Sequence, residues 1–75
     1  MTKEEAEQKR LNHLDLKGRE LIHRGSGAKI KIIDVYVSPT EKINDFDVFC
    51  SYLNEHSQKS VPESVDIIRG TYRGL

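Results

Sequence analysis

A chain of 75 residues with a formal charge of zero at neutral pH allows one domain with a thin core. A domain this small buries only ~60% of the surface its unfolded chain exposes, which leaves little material for a deep substrate pocket and its walls. The longest apolar runs, such as Ile32-Ile33 and Val48-Phe49-Cys50, are far too short to cross a bilayer. The charged N-terminus shows no signal peptide, and the single Cys50 excludes an internal disulfide. These features fit a soluble protein of the reducing cytoplasm.

Thr2-Lys3-Glu4-Glu5 fits a capping box, and good helix formers follow from Ala6 to Leu11. The apolar stripe of this helix is sparse: Ala6, Leu11 and Leu14. A helix so short is marginal in water without an apolar face to pack, so Leu11 and Leu14 are expected to dock on the body or on a partner. Lys17-Gly18 ends the segment. Arg19 to His23 reads as a short strand, and Arg24-Gly25-Ser26-Gly27 as a tight turn.

Ala28 to Val37 is the best strand, rich in β-branched residues. Ile30 and Ile32 share one parity, whereas Ile33, Val35 and Val37 share the other. A parity flip of this kind predicts a bulge or sharp bend. From Ser38 to Leu53 two readings compete. Ser38-Pro39-Thr40-Glu41 resembles a helix start, but Phe46, Val48, Cys50 and Tyr52 alternate strictly and favour a strand. Asn54-Glu55-His56-Ser57 reads as a turn and Lys59-Ser60-Val61 as a strand stopped by Pro62. A single helical or 3₁₀ turn capped between Ser60 and Glu63 then leads to Asp66-Ile67-Ile68-Arg69 as the closing strand. The expected core is Leu21, Ile30, Ile32, Val35, Val48, Cys50, Val61 and Ile67.

This order of elements resembles an SH3-like small β-barrel of the KOW, Tudor or SH3 kind. The residues that carry the likeness are Gly18-Arg19-Glu20-Leu21-Ile22-His23 running into Gly25-Ser26-Gly27 and Ile30-Lys31-Ile32, and then Lys59-Ser60-Val61-Pro62 before Glu63-Ser64-Val65-Asp66-Ile67-Ile68. The resemblance implies a mainly β fold with an N-terminal helix, its five-stranded barrel carrying a 3₁₀ turn before the last strand. Residues 1–16 would be the helical lead, 17–69 the barrel and 70–75 a tail. It also implies binding, since such barrels take nucleic acid, modified side chains or peptides. A proline-peptide groove wants a Trp, which this chain lacks, and Tyr36, Tyr52 and Tyr72 are scattered.

No catalytic constellation stands out. His13, His23 and His56 are not at metal-ligand spacings, and Cys50 falls on an apolar strand face, as a buried inert thiol would. The turn at Gly25 to Gly27 feeds a strand rather than a helix, against a phosphate loop. Asp45 and Asp47 share a strand face, but nothing near them parts their acidities, and they read as solvated.

Charge is segregated along the chain. Lys17 to Ile33 is basic and Asp34 to Glu55 acidic, and antiparallel pairing of the two would neutralise them. Two binding surfaces follow: Arg19, Arg24, Lys29 and Lys31 around the first hairpin, and Phe49 with Leu53. The latter pair is expected to lie beneath Leu11 and Leu14 of the helix, or else to form an apolar patch. The sequence therefore predicts a non-enzymatic, cofactor-free accessory, regulator or inhibitor that docks on another protein in the cytoplasm. Mobile-element proteins that redirect host machinery are one such group. A nucleic-acid-binding barrel is the alternative, against which the neutral charge balance speaks.

Overall fold

The computed structural model describes residues 1–54 and 61–74. Helix α1 spans Lys3–Asn12, with both halves of the Thr2–Glu5 capping box formed. The chain then makes one 3₁₀ turn, Leu14–Leu16, before Gly18 turns it at φ +80°, a left-handed conformation that costs glycine little. Strands β1 (Glu20–His23), β2 (Lys29–Pro39), β3 (Phe46–Asn54) and β4 (Val61–Ser64) follow, then helix α2 (Val65–Thr71) and strand β5 (Tyr72–Gly74). The five strands form one antiparallel sheet in the order β4-β3-β2-β1-β5, with β4 and β5 at its edges.

The bend in β2 falls where the sequence places it. Ile32 pairs with Tyr52 and Asp34 with Ser51, so the register against β3 shifts across Ile33. The extra residue lets Ile30 and Ile32 before the bulge, and Val35 after it, all reach the core, while Ile33 stays 40% exposed. The stretch from Phe46 is a strand, as its alternation predicts: Val48 and Cys50 are fully buried. The turn expected over Glu55-His56-Ser57, and the Lys59 and Ser60 part of the next strand, lie outside the described residues.

The C-terminal segment departs from the expectation. Asp66-Ile67-Ile68-Arg69 is not the closing strand but the middle of α2. The reason is local. The Ser64 hydroxyl accepts from the Asp66 amide, Asp66 sits in the first turn and Arg69 in the last, all favourable to a helix. Val65 and Ile68, three apart, form its buried side, while Ile67 faces outward at 50% exposure. The closing strand comes from the supposed tail: Tyr72, Arg73 and Gly74 pair with His23, Ile22 and Leu21. The 3₁₀ turn precedes the sheet, and an α-helix precedes the last strand.

The core comprises Leu16, Leu21, Ile30, Ile32, Val35, Val48, Cys50, Val65 and Ile68, with Val37, Tyr52 and Tyr72 packed on it. Val61, expected inside, is 37% exposed, because β4 is an edge strand. Leu16, Val65 and Ile68 replace Val61 and Ile67 in the core. Among the described residues no helix is long and apolar enough to cross a membrane.

The neighbouring isoleucines of β2 should differ sharply. Ile32→Ala removes a fully buried side chain and should cost about 2–5 kcal/mol. Ile33→Ala, at the exposed bulge, should cost under about 1 kcal/mol. Equilibrium urea denaturation of the two variants checks the difference.

Candidate functional site: an arginine-lined cavity

Pairing of β1 with β5 brings the first strand of the chain beside the last. Arg19 immediately precedes β1 and Arg24 immediately follows it. Arg69 lies in the last turn of α2, and Arg73 in β5 stands opposite Ile22. All four arginines line one cavity of about 290 Å³, and no acidic residue lines it. Buried core side chains, Leu21 and Ile68 among them, also line it, so the cavity opens on the end of the core.

Two of the arginines are held from outside. Asp15 reaches the Arg69 Nη2 at 2.9 Å and the Arg19 Nη1 at 3.5 Å. The Arg69 Nε donates to His13 Nδ1 at 3.1 Å. A Cβ added at Gly74 would meet the Arg19 guanidinium at 3.5 Å, an ordinary contact distance, so that group lies directly beside β5. Arg24 and Arg73 have no ion-pair or hydrogen-bond partner for their guanidinium groups among the described residues.

Tyr72, a lining residue, belongs to an aromatic cluster beside the cavity. His23 and Tyr72 meet edge to face, ring centroids 5.3 Å apart, and Tyr72 lies 6.2 Å from Tyr52. His23 is also the lock of the hairpin turn: its Nδ1 accepts from the amides of Gly25 and Ser26, each at 3.0 Å. Turn residues Arg24 to Gly27 are exposed.

The basic set expected around the first hairpin is thus divided. Arg19 and Arg24 join Arg69 and Arg73. Lys29 and Lys31 alternate with buried Ile30 and Ile32 and so stand on the other face of β2. There they line a second depression of about 250 Å³ with Leu53 and Glu20. Phe49 is elsewhere again, stacked on Tyr36 at 6.3 Å. Leu11 and Leu14, expected to cover Phe49 and Leu53, are 49% and 37% exposed. Phe49 and Leu53 are each half-buried. Among the described residues, Lys17 and Asp34 form an ion pair between the basic and acidic stretches, at 3.7 Å.

Sequence reasoning missed Arg69 and Arg73. A signal was present: the dipeptide Arg-Gly occurs at Arg24-Gly25, Arg69-Gly70 and Arg73-Gly74, and all three arginines line the cavity.

Cys50 is fully buried, and burial pushes its thiol up to about 11, which leaves it protonated and unreactive at neutral pH. Asp45 and Asp47 are engaged rather than free. Asp45 binds the N-terminal ammonium and accepts from Thr40, while Asp47 accepts from Lys9 at 2.9 Å. Among the described residues no group of three His, Cys, Asp or Glu is placed to hold a metal ion.

Burial first, and then the charges of Arg69 and Lys9, hold His13 below its ordinary 6.5. A histidine kept neutral by the fold takes up its proton more readily when unfolded. The stability it contributes is therefore present above pH ~6.5 and lost as pH falls through that value toward its folded pKa. Thermal melts from about pH 7.5 to about pH 5.5 should show a falling midpoint, and His13→Asn should flatten that slope. An unchanged slope in the variant would remove His13 from this role.

A scan against protein-family models and searches of curated proteins and of solved structures find no match to this chain.

Proposed function

We propose that this chain is a non-catalytic binding domain that docks on another protein through its arginine-lined end, acting in the cytoplasm as an accessory subunit, regulator or inhibitor. The observation that carries the reading is the gathering of four arginines on one cavity, two of them without a partner among the described residues. Exposed guanidinium groups without a partner beside an apolar opening are available for recognition, and arginine is enriched among interface hot spots. The five antiparallel strands and the bulged β2 fit the mainly β part of the SH3-like reading, whereas the sheet ends in open edges at β4 and β5 and does not close into a barrel, so the docking role is argued from the arginines and not from the fold.

A non-catalytic role is supported by how the reactive side chains are used. Cys50 is sealed in the core, His13 accepts from Arg69, and His23 Nδ1 caps a turn. The half-buried pair Tyr36–Phe49 is the competing surface. Nucleic acid is the competing partner, disfavoured by a formal net charge of zero.

Native-lysate pull-downs with and without nuclease separate these readings. Arg24→Glu and Arg73→Glu should reduce capture of the protein partner at least about tenfold, without lowering the melting temperature by much, since exposed charges contribute little to stability. Nuclease should leave capture unchanged. Loss of capture in Phe49→Asp, with both charge reversals silent, would place the interface on the other face instead.

A further inference from the structure

We propose that the arginine-lined cavity is a site for a phosphate monoester in its dianionic form. The proposal deepens the docking reading and rests on it: the phosphate is the anchor by which the arginine end grips.

Charge decides the sign of the ligand. Four guanidinium groups line the cavity, and among the described residues Asp15, the carboxylate paired with two of them, is not part of the lining. The Tyr72 ring in the lining would otherwise suit an ammonium ion, but a further cation beside four arginines is repelled. The apolar floor lowers the local dielectric and strengthens the attraction for an anion.

Size and shape decide its class. About 290 Å³ is at or below the small end of ligand pockets, room for one compact anionic group and a short stem. A phosphate monoester carries about −1.5 to −2 charges and three acceptor oxygens, against one charge and two oxygens for a carboxylate. Several planar forks can share three oxygens, and arginine favours such bidentate contacts. A phosphodiester polymer needs a basic track along the surface. Here Lys29 and Lys31 stand on the other face of β2, and the whole chain is formally neutral.

The site is also partly built in advance. Asp15 and His13 take the Arg69 Nη2 and Nε, and Asp15 also pairs with Arg19. Side chains already fixed lose less freedom when a ligand arrives. Arg24 and Arg73 supply the uncompensated charge.

The test is calorimetry on the intact chain with O-phosphoserine, serine, a phosphoserine peptide and an oligothymidylate, all at one ionic strength. Saturable binding of O-phosphoserine with none of serine is expected. Arg24→Gln and Arg73→Gln should each weaken it about tenfold, with melting temperatures retained as the folding control. Arg69→Lys keeps the charge and loses the fork, and it should weaken binding as well. A phosphopeptide more than about tenfold tighter than the amino acid identifies a phosphorylated side chain as the source. Equal affinities identify a small free phosphomonoester. Absence of saturable O-phosphoserine binding overturns the proposal, as does tighter binding of the oligothymidylate. If phosphoserine fails while the arginine reversals still abolish capture of the protein partner, the phosphate inference falls and the docking reading stands. If phosphoserine binds but the reversals leave capture intact, the docking reading falls.

Discussion

At Ile33 the register of β2 against β3 shifts by one residue, and this bulge sets which side chains of the strand reach the core. Without it, the strict alternation of β2 would send either Ile30 and Ile32 or Val35 and Val37 to solvent. With it, one eleven-residue strand serves two stretches of core, pairing with β1 before the bend and with β3 along its length. The pairing of β1 with β2 then fixes β1 where β5 can add to it, and β5 carries Arg73 to the arginines at the ends of β1. A core defect in the middle of β2 would therefore be felt at the cavity, although no residue of β2 lines it.

Polar contacts do for α1 what its apolar stripe does not. Ala6 alone is buried along the helix. Three ties hold it instead. The N-terminal ammonium meets Asp45, Lys9 bridges Asp47 and Asp66 at 2.9 and 2.7 Å, and His13 just beyond the helix accepts from Arg69. For Lys9, burial pulls the ammonium down, but its hydrogen bonds with Asp66 and Asp47 outweigh this and leave it raised. The last tie couples the helix end to the cavity, because Arg69 is both an anchor for His13 and a wall of the site. Such partly exposed pairs each contribute little to global stability, and their effect here is to set geometry.

How much was legible before the fold follows from the range of each interaction. Local signals read well. The capping box at Thr2, the glycine turn, the parity flip at Ile32-Ile33 and the alternation from Phe46 all describe neighbours in sequence, and each has its counterpart in the structure. The segment after Ser64 was misread because Ile67-Ile68 looks β-branched and strand-like, whereas the deciding pair is Val65 with Ile68 under a Ser64 cap. Val61 was misplaced because edge position is a property of the whole sheet. The candidate site was half legible. Arg19 and Arg24 flank one strand, but only the β1–β5 pairing brings Arg69 and Arg73 to them, and that pairing joins segments far apart in the chain.

Docking through the end of the sheet where β1, β5 and α2 meet, as we propose, has a signature in amide hydrogen exchange on the chain alone and in complex with its captured partner. The expected result is slowed exchange on binding at Arg24 to Gly27, in α2 and in β5, with the centre of β3 unchanged. Protection confined to the strands carrying Tyr36 and Phe49, with β5 and α2 exchanging as in the free chain, would contradict it.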